Sequence, residues 1–281
     1  MTCGSAMRRA LYEGRDHAKG VIAGESAMDK AKIAVAVACR GLVLAGLPGP
    51  LGRLGAYRFV AGGRTWQAPA GGRANYLYAT VQSPEEGEAL CSAARGTCID
   101  VGAGIGWFTV PLAQRLGDRG RVVAIEPHEP SYWALSRNTA GLTNVLLLRC
   151  AVGARDGTAT LFEPPPRLGG LSISMHYHRG RPFSVPLRSI DSLRDELGIV
   201  EVGLVKIDVE GAEPEVLAGM RGVLRDCTPD VAFEALSKEA YDACVAILAP
   251  FGYHVELLHS SASVANYMAT AAPATTMSTG V

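Results

Sequence analysis

Lysine is scarce in this chain. Arginine supplies most of the 27 basic residues, and 27 acidic residues balance them to a formal net charge of zero. A protein that holds nucleic-acid phosphates leans on a basic excess, so nucleic acid is not an expected partner. Paired cysteines are lacking as well. The seven cysteines, at 3, 39, 91, 98, 150, 227 and 244, are odd in number and include no C-x-x-C pair. Neither a disulfide framework nor a zinc knuckle is therefore expected, and the thiols read as reduced, in a cytoplasmic protein. Long apolar runs are missing too. The longest, residues 33–47, is interrupted by Arg40 and falls short of the roughly 18 uninterrupted residues that suggest a membrane span. Arg8 and Arg9 lead into charged residues rather than an apolar core, so no signal peptide is expected. Peripheral membrane contact through an Ala-rich helix near 28–45 stays open, as does homo-oligomerisation. No internal repeat is visible.

What is present is ample core material. Apolar residues make up 48% of 281, enough for one large domain with an added cap. The order of the segments suggests a helical or irregular extension or cap over 1–80, a main domain over 81–270 and a disordered tail over 271–281, with fraying from Thr270. In the extension, residues 28–46 read as a helix ended by Gly46, Pro48 and Pro50, and 49–75 as loops with short strands. Ser83-Pro84-Glu85-Glu86 has the cap, proline and early acids of a helix start, so a helix should run to about Ala94. From Thr97 onward, short apolar runs alternate with amphipathic segments. Strands are expected at 97–101, 121–126, 145–150, 158–162, 183–187, 204–208, 230–235, 253–258 and 264–268. Helices are expected at 107–116, 131–141, 189–197, 213–224 and 238–248. Such alternation demands a mostly parallel sheet covered on both faces, an α/β fold.

The segment CIDVGAGIGWFT, residues 98–109, carries the strongest signal. A buried strand ends in Asp100; Gly102, Ala103, Gly104 and Gly106 form a turn; a helix follows. Glycines there let the chain turn sharply and let a ligand lie against bare main chain. The next strand ends in Glu126-Pro127, where an acid can accept hydrogen bonds from both ribose hydroxyls of an adenosine cofactor. The dinucleotide pattern G-x-G-x-x-G would require glycine at position 107, which holds Trp107. A carboxylate just before the loop would also repel a diphosphate, whereas it would attract the ammonium and sulfonium of S-adenosylmethionine (SAM), directly or through water. SAM is the expected cofactor, and a nicotinamide oxidoreductase the rival.

A second acidic loop lies in LVKIDVEGAEPEVLAGM, residues 204–220. Asp208, Glu210 and Glu213 should crowd the carboxyl end of the sheet, where crowded carboxylates either create a base or hold a divalent cation such as Mg2+. Glu215 reads as a residue favouring a helix N-terminus. His176 and His178, in a loop or hairpin able to cover the substrate, are further candidates for a general base. The proton acceptor could thus be Asp208 or a loop histidine, or a cation could acidify the hydroxyl. Cys150 and Ala151 end the third strand, where adenine is framed. His128 is placed at the adenosine rim, Trp107 and Phe108 in packing. Arg179 and Arg181 could grip an acidic acceptor.

The pieces IDVGAGIGWFT (99–109), AIEP (124–127), AVGARDGTATLF (151–162), RSIDSL (188–193), VKIDVEGAEPEVLAGM (205–220) and VAFEAL (231–236) together resemble the FkbM family of methyltransferases. The resemblance covers about residues 80–236. It implies a class I methyltransferase (Rossmann-like) three-layer sandwich with a seven-stranded mostly parallel sheet. It also implies SAM-dependent O-methylation of a hydroxyl on a small-molecule acceptor: a sugar, a glycolipid or a polyketide-like secondary metabolite. By the same resemblance Asp100, Gly102, Gly104 and Glu126 are cofactor contacts, and Asp208 and Glu210 form the acidic loop beside the methyl group. Gly104 departs from the family's frequent asparagine. The pattern [DN]-P-P-[YF], which favours amino acceptors, is absent, since VKIDVEG stands in its place.

Overall fold

The computed structural model describes residues 23–24, 27–28, 56–61, 64–68, 84–163, 181–260 and 265–271. In chain order its strands begin with β1 (Ala23–Gly24), β2 (Tyr57–Ala61) and β3 (Arg64–Ala68), followed by helix α1 (Pro84–Ala93). The main alternation then runs β4 (Thr97–Val101), α2 (Thr109–Leu116), β5 (Arg121–Ile125), α3 (Glu129–Asn138), β6 (Val145–Leu148) and β7 (Ala151–Val152). Next come the hairpin strands β8 (Gly157–Glu163) and β9 (Arg181–Arg188), helix α4 (Ile190–Glu196) and strand β10 (Val202–Ile207). The chain closes with α5 (Glu213–Ala218), α6 (Arg221–Asp226), β11 (Asp230–Ala235), α7 (Lys238–Leu248), β12 (Tyr253–Ser260) and β13 (Ala265–Ala271).

Seven strands form one sheet in the order β12-β13-β11-β10-β4-β5-β6. The pairs β10–β11, β10–β4, β4–β5 and β5–β6 are parallel, and β13 runs antiparallel to both neighbours. The central strands are buried along their whole length because helices cover both faces, and side-chain alternation sorts their residues into two cores. Ile99, Val123, Val205, Ile207, Val231 and Phe233 pack with α4, α5, α6 and α7. Cys98, Val122, Ala124, Leu204 and Ala232 pack with Leu90 of α1, Leu112 and Leu116 of α2 and Leu135 of α3. The result is a three-layer α/β architecture around a mostly parallel sheet, as the resemblance implies. A smaller sheet, β7-β9-β8, sits beside it with its own cluster of Ala151, Ala159, Leu161 and Val185.

The helix expected over 213–224 is two helices. At the break, Gly219 lies against other main chain: a Cβ there would fall 2.1 Å from the Gly153 carbonyl oxygen. The second helix is started from outside, by Asp191 of α4, whose carboxylate accepts from the Gly222 and Val223 amides at 2.9 Å each. The strand expected over 145–150 stops at Leu148, and the next strand, β7, belongs to a different sheet. β13 continues to Ala271, into residues expected to fray. In the extension, β1, β2 and β3 form an antiparallel sheet. This sheet is fastened to α3 by Asn138, which accepts from the Gln67 amide and donates to the carbonyls of Gln67 and Ile105. Most of the helix expected at 28–46 lies outside the described residues, and no described helix is long and apolar enough to cross a membrane.

Candidate active site

The loop after β4 is built from left-handed backbone. Gly102, Gly104 and Gly106 have φ of +78°, +57° and +95°, a region that side chains with a Cβ avoid. The amides of Gly102 and Ala103 both donate to the Ile125 carbonyl at 3.0 Å, which lashes the turn to β5. Gly102 is also wedged against the second acidic loop, since a Cβ on it would lie 1.9 Å from the Asp208 carbonyl oxygen. Gly104 differs: a Cβ there would meet nothing within 4 Å, because its outer face looks into a cleft.

That cleft encloses about 1010 Å3 of space, open solvent at its mouth included. Ile125, Pro127, Cys150, Ala151, Val152 and Leu161 give it an apolar wall on one side. At the far end stand Lys206, Asp208, Val209, Glu210 and Ala212. Between them Glu126 borders the cleft while its Oε2 accepts from the Gly104 amide at 2.8 Å and its Oε1 from the His128 amide at 2.9 Å. Burial pushes its carboxyl up to about 7, against the lowering effect of these two bonds. Each oxygen retains acceptor capacity beyond the one bond it makes, so a pair of ligand hydroxyls can still be received. The ring of Trp107, on the cleft, lies 4.5 Å from that of Trp66 in β3, so the N-terminal sheet buttresses the glycine loop.

Asp100 is sealed beneath the loop. It is fully buried, its Oδ2 accepts from the Thr109 hydroxyl at 2.6 Å, and its Oδ1 has no hydrogen-bond partner. Burial raises its pKa, while the charge of Lys206 and the Thr109 bond oppose the rise. It does not line the cleft; of the two expected routes to a ligand, direct contact and contact through water, this placement favours the indirect one. Residue 100 points to the sheet face covered by α1 and α2, and its carboxylate fastens the start of α2.

At the other end, one carboxylate oxygen from each of Asp208, Glu210 and Glu234 lies within 4.8 Å of the others. Glu210 has a φ of +59°, strain that a non-glycine residue accepts only where its surroundings impose it. Burial first, then the charges of Asp208 and Glu210, push Glu234 up to about 9. Glu213 is not part of this group, contrary to its expected catalytic or metal-binding place. It is fully buried, and its Oε1 accepts from the amides of Val209 and Gly211 at 3.1 Å each, bracing the loop from below.

Residues 100–260 match the model of the methyltransferase FkbM domain. The chain belongs to that family. It is 28% identical to methyltransferase sdnD of Sordaria araneosa, over 43% of this chain and 59% of that protein. Among solved structures it is similar to the methyltransferase FkbM of Methylobacillus flagellatus KT, with 17% identity and a TM-score of 0.48, over 86% of this chain and 58% of that one. It is also similar to M. jannaschii TYW2 in complex with AdoMet, with 14% identity and a TM-score of 0.44, over 78% of this chain and 85% of that one. The chain thus spans less than two thirds of the first two relatives.

Within the FkbM domain, Gly102, Ala103, Gly104, Glu126, Pro127, Cys150, Ala151, Asp208 and Glu210 gather around one cleft. His176, His178 and Arg179 lie outside the described residues. His128 is buried, not at an open rim; its Nδ1 pairs with Ser131 Oγ at 3.0 Å and its ring faces Phe183. Two residues of the acidic end, Lys206 and Glu234, were missed by sequence reasoning. Lys206 had a signal: a single lysine inside the apolar strand VGLVKI of a lysine-poor chain. Glu234 joins the acids only through the pairing of β10 with β11, which a linear reading does not show.

Proposed function

We propose that this FkbM-family chain is a SAM-dependent O-methyltransferase whose acceptor is a hydroxyl of a sugar, a glycolipid or a secondary metabolite. The observation that carries the reading is Gly104: bare, left-handed main chain facing open cleft, with Glu126 at one end and the Asp208–Glu210–Glu234 acids at the other. These residues fit SAM. Gly104 leaves room for adenosine against the backbone, Glu126 accepts from ribose, and the apolar wall of Pro127, Cys150 and Ala151 flanks adenine. A dinucleotide would bring a diphosphate toward carboxylates, which repel it.

SAM, when bound, supplies a methyl group already activated by its sulfonium. The chain must hold the acceptor oxygen in line and remove its proton. The cleft would align the acceptor hydroxyl with that methyl group, and Asp208 would take up the proton that the hydroxyl loses. Asp208 suits this role because it borders the cleft and Lys206 Nζ, 3.0 Å from its Oδ2, fixes the direction of the carboxylate.

Titration calorimetry with SAM and with NAD tests the cofactor; binding of NAD and not of SAM would overturn the reading. Asp208→Asn should keep SAM affinity while abolishing release of S-adenosylhomocysteine across a panel of hydroxylated acceptors. Undiminished release from any accepted substrate would remove Asp208 from the chemistry.

A further inference from the structure

Lys206 is 4% exposed, yet its neighbours are carboxyls. Its register partner on β4 is Asp100, so the two side chains stand side by side on one face of the sheet. Lys206 Nζ is 3.0 Å from Asp208 Oδ2 and 4.5 Å from the centre of the Phe108 ring. Glu86 of α1 contributes a further acid whose charge acts on Lys206, and Glu234 of β11 feels the charge of the same lysine. Burial works against the ammonium, but Asp208, Asp100 and Glu86 together outweigh it and its pKa is raised. A buried cation persists only when paired in this way, and the aromatic face below adds to the hold.

We propose that Lys206 is the built-in counter-cation of the acidic end of the cleft, and that this ammonium occupies the place of a divalent metal and holds the Asp208 carboxylate turned toward the acceptor. Lys206 is thus a positioning residue that acts through Asp208. The inference rests on the role proposed for Asp208, and it explains why acids crowd here without requiring an ion. Strong Mg2+ or Mn2+ sites are built of oxygen ligands with no competing internal cation. Here one ammonium already sits on Asp208, the residue with which a metal would have to be shared.

Mn2+ serves as the probe, read by electron paramagnetic resonance on the full chain. The unmodified protein should show no specific Mn2+ site. Lys206→Met, which keeps the stem and removes the charge, should gain one, with affinity at least about tenfold above the unmodified chain. Adding Glu234→Gln to Lys206→Met should abolish the gain. Lys206→Arg, which keeps the charge, should not gain the site; it is the gain in the charge-free variant that a purely structural role for the lysine would not produce. Should Lys206→Met fail to fold, Lys206→Gln takes its place. Specific Mn2+ binding by the unmodified chain that Glu234→Gln removes would overturn the proposal, as would a charge-free variant that folds and gains no site. Failure of the methyl-transfer reading would show separately, as absent SAM binding to the unmodified protein.

Discussion

Two glycines only two positions apart, alike in backbone but unlike in surroundings, offer a sharp test of how the loop works. Gly102 and Gly104 both hold left-handed backbone, at φ +78° and +57°. Alanine in that conformation costs roughly 1–2 kcal/mol at either position. At Gly104 nothing more is added, because no atom lies within 4 Å of the new Cβ. For a chain of this size each kcal/mol lowers Tm by about 2–4 °C, so Gly104→Ala should unfold only a few degrees early. At Gly102 the Cβ would lie 1.9 Å from the Asp208 carbonyl oxygen, where carbon and oxygen ordinarily meet at roughly 3.3 Å. The two loops must separate by more than an ångström, straining the Asp208 amide bond to the Val101 carbonyl. Strain and overpacking together come to about 3–5 kcal/mol, enough to drop Tm by roughly 10 °C or more. The order reverses for ligand affinity per unit of lost stability. The methyl of Gly104→Ala projects into the cleft, so this well-folded variant should lose at least about tenfold in SAM affinity, or ~1.4 kcal/mol. Differential scanning calorimetry and SAM titration read the two effects independently. A Gly104→Ala chain that binds SAM as tightly as the unmodified one would refute the bare-backbone seat, and a stable Gly102→Ala chain would refute the loop packing.

Further outcomes follow from the same geometry. Burial keeps a proton on Glu126 up to about pH 7, and ribose hydroxyls need the ionised form. SAM affinity should therefore rise between pH 6 and 8, by up to about tenfold per unit below the pKa, and Glu126→Gln should be weaker and flat over that range; a pH-independent affinity in the unmodified chain would break the assignment. Asp191→Ala removes the acceptor for two amides at the start of α6 and should cost about 1–2 kcal/mol in urea unfolding without changing SAM affinity. Asp100→Asn should lower stability more than it lowers SAM affinity, because the carboxylate grips Thr109 inside the fold; the reverse balance would return Asp100 to the cleft.

Thr97–Val101, Asp230–Ala235 and Lys238–Leu248 were legible residue for residue, because strands buried on both faces read as short, mostly apolar runs set between amphipathic segments. The break at Gly219–Met220 was not, since it is set by the Gly153 backbone and the Asp191 carboxylate, both more than 25 residues upstream. The site divided along the same line. The glycine turn and Glu126 follow from local backbone chemistry and a strand end. The acidic end depends on which carboxylates neighbouring strands bring together, so Glu213 was placed in it and Glu234 was not. Periodicity says which face a residue occupies, and only the strand order says whom it meets there.

The contact between Trp66 and Trp107 joins a segment outside the matched FkbM domain to the rim of the cofactor loop. A domain excised at residue 100, or one grafted behind a foreign leader, would uncover that indole and leave the rim unsupported. A change at residue 66 can therefore alter how the glycine loop is held while every residue of the loop itself stays the same.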